Sequence, residues 1–170
     1  MLYKLRVFLE TEKGDVYRDI EIQDTASLED LHNVIVQSFD FDGNEMASFY
    51  LTDEELNQGM EIPLFSMDDT NPVNNTMSNT LLKDVMDETN PNLLYVYDYL
   101  SMWRFLIGLM ETGDEAPGIE YPQVAFAQGI RPEDPPEINF NNIQDDEPDI
   151  FEGDDNPFDD YFGYDENEWN

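Results

Sequence analysis

Hydrophobic and polar residues alternate at the start of the chain in the manner of a β-strand. Every odd-numbered residue from Tyr3 to Leu9 is apolar, and a period of two is typical of a strand with one buried face. Turn-forming residues follow at 11–15, and a second alternating run extends from Val16 to Ile22. Two such runs joined by a short turn predict a β-hairpin.

The pattern then changes to the period of an α-helix. Ser27 stands where a helix N-cap would, and Asp30 three residues later completes a capping box. We therefore predict a helix that begins after Ser27 and ends at 41–44. Four apolar residues recur at the spacing of one helical face: Leu28, Leu31, Ile35 and Phe39.

The rest of the pattern predicts a second hairpin and a long irregular segment. Residues 53–80 show no sustained period, so we expect a long loop with short ordered pieces near 62–65. The run from Met102 to Met110 is mostly apolar on both faces, which is typical of a central strand. The remaining predicted elements are a strand at 47–52, one or two helical turns at 81–86, a hairpin of 93–99 with 102–110, a loop at 113–122 and a proline-rich extended segment at 132–136.

Together these elements predict one α+β domain over residues 1–143. The domain would open with the ββα unit. It would consist of a mainly antiparallel sheet packed on one main helix, an α/β roll.

Residues 144–170 differ from the domain in composition. They contain 12 acidic and no basic residues and follow the period of neither a strand nor a helix, so we predict a disordered acidic tail. The tail is either a solubilising terminus or a short motif that binds a basic, hydrophobic partner through aromatic anchors. The candidate anchors are Phe151, Phe158, Tyr161, Phe162, Tyr164 and Trp169.

The whole chain is strongly acidic, with 40 Asp and Glu against 7 Lys and Arg and a formal net charge of -33. Such a surface repels nucleic-acid phosphates and anionic membranes, because both kinds of binding need clustered Lys and Arg. We therefore expect no direct nucleic-acid or membrane binding and a basic protein as partner, and the oligomeric state stays open. The N-terminus lacks the apolar block of a signal peptide, so we predict a cytoplasmic protein.

Residues suited to catalysis or metal binding are sparse. The chain has no cysteine, which excludes disulfides, thiolate catalysis and cysteine-bound zinc. His32, the one histidine, lies at the border of the apolar helical face, where we expect a half-buried packing residue. Segments 68–71 and 154–156 lack the ligand spacing of a calcium loop, and no phosphate-binding glycine loop occurs. We predict no metal site and no cofactor.

Several short motifs occur in an order that resembles a known family. They are 31–35 and 38–41 on the predicted helix, Tyr95-Val96-Tyr97-Asp98-Tyr99 with Trp103, Tyr121-Pro122, and Gly129-Ile130-Arg131-Pro132-Glu133-Asp134. Over about residues 1–140 they resemble the plasmid pRiA open-reading-frame-three-like family, also described as insertion-element passenger proteins. The resemblance implies a compact α+β roll and no established reaction.

The chain departs from that family at two places. Residues 100–105 replace a run that usually carries acidic residues and a histidine, and 135–137 replace a Cys-Gly-Gly. A catalytic or metal-binding cluster in the family would therefore be incomplete here, and we predict no catalytic residue. The family-matched residues that persist, our candidate binding site, are Tyr97, Asp98, Trp103, Glu133 and Asp134.

Three functional hypotheses follow from these observations. The first is a noncatalytic acidic binding or adaptor protein, with a link to mobile genetic elements implied by the family. The second is a degenerate or unrecognised enzyme with a site near Tyr97, Asp98, Trp103 and Glu133. The third is a nucleic-acid mimic that binds a basic DNA-binding protein.

Overall fold

The structure is a computed structural model and describes residues 1–12, 14–66 and 75–135. Within these residues lie seven strands, two α-helices and one 3-10 turn. In chain order they are β1 (Leu2–Leu9), β2 (Tyr17–Gln23), α1 (Leu28–Ser38), β3 (Ala47–Thr52), β4 (Gln58–Pro63), the 3-10 turn (Met77–Asn79), α2 (Leu82–Val85), β5 (Asn92–Tyr97), β6 (Trp103–Gly113) and β7 (Gln123–Gln128).

The strands form one sheet in the order β4-β3-β5-β6-β1-β2-β7, and all neighbouring strands are antiparallel. The two predicted hairpins are confirmed, β1 with β2 and β5 with β6. β6 is the central strand, as its two apolar faces predicted. The fold is therefore α+β and mainly antiparallel sheet, while the finer assignment to an α/β roll stays a prediction.

Helix α1 begins as its sequence predicts. The Ser27 hydroxyl accepts from the Asp30 amide, and the Asp30 carboxylate accepts from the Ser27 amide, both at 3.1 Å. The two bonds satisfy amides at a helix start that have no partner within the helix. The helix ends at Ser38, earlier than the predicted 41–44, because Asp40 adopts a φ of 59° that no α-helix can continue.

The core lies between α1 and one face of the sheet. Alternate residues of the strands point to this face, and the helix covers it with its apolar stripe. Each buried aliphatic or aromatic side chain there stabilises the fold by about 1.5–3 kcal/mol relative to exposure. The largest fully buried side chains include Tyr95, Phe39, Phe49, Phe105, Leu5 and Leu9.

Two strands were not predicted from the sequence. β4 lies within the predicted loop 53–80, and the ordered piece expected at 62–65 is only its end. Its first four residues are exposed and include Gly59, so no alternation marks it. β7 was missed because it is short and mostly exposed, so it too shows no buried and exposed alternation.

Two sequence predictions lie outside the described residues. They are the disordered tail 144–170, with the domain boundary at 143, and the segment 67–74 of the predicted loop. Among the residues that are described, no helix has the length and apolar character needed to cross a membrane.

Candidate functional site

Phe41, just beyond the end of α1, is the centre of a cluster built from three separate parts of the chain. Its ring centroid lies 4.4 Å from that of Tyr97 on β5 and 5.4 Å from that of Trp103 on β6. The guanidinium carbon of Arg131 lies 4.5 Å from the Phe41 centroid and 5.2 Å from the Trp103 centroid. We call Phe41, Tyr97, Trp103 and Arg131, together with Asp42, the Phe41 cluster.

Arg131 also closes the C-terminal end of α1. Its Nε donates to the Phe39 carbonyl at 2.8 Å and its Nη2 to the Asp40 carbonyl at 3.0 Å. Arg18 on β2 donates from Nε to the Ser38 carbonyl at 2.9 Å. The last turn of α1 has no basic residue of its own. Two of the few cations in the chain therefore neutralise the partial negative charge of this helix end from distant positions.

The hydroxyl of Tyr97 is held by the loop that follows α1. It donates to Asp42 Oδ1 at 2.9 Å and accepts from the Gly43 amide at 3.0 Å. Burial, and then the Asp42 carboxylate, raise the pKa of Tyr97. The pKa of the exposed Asp42 is lowered, first by the Asn44 amide and then by the Tyr97 hydroxyl. At neutral pH this arrangement is a neutral phenol that donates to a charged carboxylate.

Asp98 shapes the turn between β5 and β6. Its φ is 62°, in the left-handed region that Asp tolerates better than most residues. Its carboxylate accepts from the amides of Leu100 at 3.1 Å and Ser101 at 3.4 Å. The side chain of Asp98 is therefore used to form a turn.

The structure brings together only part of the predicted candidate site. Tyr97 and Trp103 pair directly between β5 and β6 and both contact Phe41, and Asp98 begins the adjoining turn. Glu133 and Asp134 are exposed, just beyond Arg131. Among the described residues, neither carboxylate hydrogen-bonds to the other three candidates. The aromatic candidates of the tail, residues 151–169, lie outside the described part of the chain.

Two exposed aliphatic side chains beside the cluster were not predicted. Leu100, in the turn that Asp98 forms, is 89% exposed, and Ile130, next to Arg131, is 87% exposed. Exposed carboxylates lie just after Ile130, at Glu133 and Asp134, and on the loop between α1 and β3 that contributes Phe41, at Asp40, Asp42 and Glu45. Ile130 is part of a family motif in the sequence, but no periodicity could show that it faces solvent.

His32 is buried rather than half-buried, which corrects the sequence prediction. It is 4% exposed, and its Nδ1 lies 2.7 Å from the hydroxyl of Tyr95, a fully buried residue on β5. Burial lowers the pKa of His32 to about 4 and raises the pKa of Tyr95. The pair is therefore an uncharged hydrogen bond within the core. Leu28, four residues before His32, and Ile35, three residues after it, are the signal in the sequence that could have placed it on the core face of α1.

A polar cluster on the other face of the sheet was also missed. Glu61 Oε2 accepts from the hydroxyls of Ser48 at 2.9 Å and Tyr50 at 3.0 Å, and Ser48 also hydrogen-bonds to Tyr99. Burial, and then Glu61, raise the pKa of Tyr50 to about 12. Ser48 has no exposed surface, so a substrate could not reach its hydroxyl. The cluster fastens the edge strand β4 to β3.

Two further observations concern ligand binding by the described residues. No group of three or more His, Asp or Glu among them is arranged to hold a metal ion. A shallow groove of about 270 Å³ lies at the end of the sheet opposite the Phe41 cluster. It is smaller than the roughly 300–1,000 Å³ of most small-molecule sites. Its lining is Glu88, Pro91, Leu109, Met110, Glu111 and Thr112.

Comparison with known proteins gives a family and a fold. The family model described as plasmid pRiA4b ORF-3-like protein matches residues 1–140. The crystal structure of the protein of unknown function MM3350 from Methanosarcina mazei Go1 is similar, with a TM-score of 0.63 and 22% identity over 74% of this chain and 68% of that chain. At this identity the similarity concerns the fold alone. No curated protein matches the chain. The match over residues 1–140 places this chain in the plasmid pRiA4b ORF-3-like family.

Proposed function

We propose that this chain is a noncatalytic binding protein that contacts a basic partner protein with the end of the sheet around the Phe41 cluster. The observation that carries the proposal is the pair of almost fully exposed aliphatic side chains, Leu100 and Ile130, among exposed carboxylates. An apolar anchor surrounded by one sign of charge suits a partner with an apolar pocket and a basic rim.

Both anchors are attached to backbone that is already fixed. The Leu100 amide is held by Asp98, and Ile130 precedes Arg131, whose guanidinium is bound to the end of α1. Little conformational entropy would therefore be lost when the partner binds, which favours affinity. The net charge of -33 would steer a basic partner toward the chain and make the association rate depend on salt.

The enzyme hypothesis has less support from the same residues. Tyr97 donates to Asp42, the Asp98 carboxylate accepts from two turn amides, and Trp103 is buried. These groups hold the loops in place. An enzyme would need Asp98 or Glu133 to contact a substrate, so Asp98→Ala and Glu133→Ala would abolish ligand binding in a chain that still folds.

The nucleic-acid mimic is a special case of the proposed function, in which the basic partner is a DNA-binding protein. If the chain is such a mimic, it should compete with DNA for binding to the partner. We also propose that the chain acts in the cytoplasm. We propose further that its partner belongs to a mobile-element system; the plasmid family supports this link, but it does not identify the system.

The experiment is affinity capture from native extract with three full-length baits. They are the wild type, the double variant Leu100→Ser/Ile130→Ser, and the control Met60→Ser/Met110→Ser. The control removes two apolar side chains that are 50% and 52% exposed elsewhere on the sheet. We expect a basic protein that wild type and control recover equally and the double variant recovers at least about tenfold less, a loss of about 1.4 kcal/mol. Equal recovery by all three baits, or no basic protein, would contradict the proposal.

A further inference from the structure

The two outermost strands of the described sheet differ in how well their free edges are protected. β4, at one end, carries Glu61 and Pro63 and is interrupted by Gly59. Charges, prolines and bulges are among the means by which an edge strand avoids pairing with another chain. β7, at the other end, reads Gln-Val-Ala-Phe-Ala-Gln and contains no charge and no proline, and its one bulge, at Ala125, leaves residues 126–128 regular. Its outer side pairs with no described strand.

β7 is unusual for this chain because it is both exposed and uncharged. Phe126 is 50% exposed and Val124 is 41% exposed. The chain as a whole carries 28% charged residues, and each of the strands β1, β2, β4 and β6 contains at least one. β3 and β5 are also uncharged, but both lie inside the sheet. β7 is thus the one described edge without charge.

The sheet face next to β7 is also close to neutral, because its bases are paired with acids and its further carboxylate, Glu21, accepts a hydrogen bond from Gln123 of β7 at 2.7 Å. Arg6 forms two hydrogen bonds to the Asp19 carboxylate, at 2.8 and 3.1 Å. The Lys4 ammonium lies 3.5 Å from a carboxylate oxygen of Glu111. On the same face a row of aromatic rings crosses from β1 through β2 to β7, with centroid separations of 5.8 and 6.0 Å. The rings are Phe8, Tyr17 and Phe126.

From these observations we infer that β7 is a self-association edge, which pairs antiparallel with β7 of a second copy about a two-fold axis. Because residues 123–128 carry no charge, no antiparallel register of the two strands opposes like charges. A two-fold axis makes the interface self-complementary and closes it at two copies. The sheet would continue across the dimer, and the exposed Phe126 of each copy would lie beside its centre.

The strand end at this edge is rigid, which favours pairing. Gly129 follows β7 with a φ of 76°, so close to the β1–β2 turn that a Cβ there would lie 2.5 Å from the Asp15 carbonyl oxygen. Arg18 Nη1 donates to the Gln128 carbonyl at 3.0 Å. The register shift opposite Asp19 and Ile20 makes Ala125 an extra residue of β7. Residues 126–128 pair with β2 without a register shift, and we expect pairing with the second copy to begin at these three residues.

The net negative charge of each copy makes dimerisation depend on the salt concentration. Each copy carries -33, so two copies repel at low ionic strength. The repulsion is screened beyond about 30 Å at 0.01 M salt but beyond about 8 Å at 0.15 M. Self-association through the neutral edge should therefore strengthen as salt increases. Binding to a basic partner should weaken over the same range, so the failure of one proposal can be told from the failure of the other.

The test is sedimentation velocity of the full chain against concentration and salt, with two matched variants. Ala125→Glu adds a carboxylate to β7. Ala116→Glu adds the same charge in the exposed loop between β6 and β7. We expect wild type and Ala116→Glu to shift from monomer to dimer as salt rises from about 0.01 to about 0.5 M. Ala125→Glu should need at least about tenfold more protein to reach the same dimer fraction.

Two outcomes would overturn the inference. One is a wild-type chain that stays monomeric at every salt concentration. The other is an Ala125→Glu chain that dimerises at the same concentration as Ala116→Glu. If Ala125→Glu does not fold, amide hydrogen exchange of the wild type decides instead. The amides of 126–128 must exchange more slowly under dimer-forming conditions, and unchanged exchange there contradicts the inference.

Discussion

The guanidinium of Arg131 packs over the ring of Phe41, with its carbon 4.5 Å from the ring centroid, and the same guanidinium donates to two carbonyls at the end of α1. One side chain thus connects the last described segment of the chain to the exit of the helix. Tyr97 and Trp103 complete the contact from the second hairpin. The motifs on which the resemblance was based therefore hold together one end of the sheet, and they leave Leu100 and Ile130 exposed beside it.

Replacement of Arg131 by Met should destabilise the fold by about 2–3 kcal/mol. The change removes charge-assisted hydrogen bonds to the Phe39 and Asp40 carbonyls together with the cation–π contact to Phe41. The measurement is urea unfolding followed by tryptophan fluorescence. Lys4→Met is the matched control, because it removes one cation from an exposed ion pair in which Lys4 Nζ lies 3.5 Å from Glu111 Oε2. Its loss should lower the stability by less than about 1 kcal/mol. Equal costs for the two variants would show that Arg131 is only a surface charge.

His32 should make the fold less stable as the pH falls. Burial lowers its folded-state pKa to about 4 from the ordinary 6.5. Between these values the unfolded chain binds a proton that the folded chain does not, so stability present above pH 6.5 is lost as the pH falls toward 4, by up to about 3 kcal/mol. The measurement is the unfolding free energy at pH 7 and pH 5 for wild type and His32→Gln.

The difference between the two chains isolates the histidine, because the acidic residues titrate in both. Wild type should lose more stability than His32→Gln between the two pH values. As the chain has one histidine, its imidazole resonances can be followed directly by NMR. Titration of those resonances near 6.5 would contradict the buried His32–Tyr95 pair.

The charge of Glu61 should be visible in the titration of Tyr50. Burial and the Glu61 carboxylate raise the pKa of Tyr50 to about 12, so Glu61→Gln should move it down toward its ordinary value. The measurement is NMR of chains with labelled tyrosine, with the Tyr50 signal assigned by Tyr50→Phe. Glu111→Gln, an exposed carboxylate far along β6, should leave the Tyr50 titration unchanged. No change in Glu61→Gln would rule out the hydrogen bond between Tyr50 and Glu61.

Gly129→Ala should cost more stability than Gly118→Ala. Both glycines have a positive φ, 76° and 79°, so both alanine variants carry the same backbone strain of about 1 kcal/mol. At 118 the new methyl group meets nothing within 4 Å, whereas at 129 it would lie 2.5 Å from the Asp15 carbonyl oxygen. Thermal unfolding of both variants measures the difference, which we expect to be about 1–3 kcal/mol. Equal losses would mean that the end of β7 does not pack on the β1–β2 turn.

The sequence was sufficient where a structural signal is local. The alternation of β1, the capping box at Ser27 and the apolar run of β6 each reflect the period of a single element, and these elements are present. β4 and β7 were missed because most of their residues are exposed, so the period of two disappears. The early end of α1 depends on the backbone of Asp40, which no apolar pattern records.

The candidate site was also predicted only in part, but here the reason is that its contacts join distant parts of the chain. Tyr97 and Trp103 could be named from the family motifs, but their common contact, Phe41, comes from another part of the chain. Asp98 stays a candidate ligand-binding residue, and its use in a turn, where its carboxylate accepts from two amides, could not be read from the family motifs. The exposure of Leu100 is a property of the folded surface, so it could be known only from the structure.

The central claim, that a basic partner binds at the Phe41 cluster, is tested most directly by site-specific cross-linking. A photoreactive amino acid is placed at Leu100, at Ile130 or, as the control, at Met60 on the exposed edge strand β4. Each full-length chain is irradiated in native extract at low and at high salt. We expect positions 100 and 130 to capture the same basic protein, with less of it at high salt, and position 60 not to capture it. Capture from position 60 as efficient as from 100 and 130, or capture that salt does not weaken, would contradict the central claim.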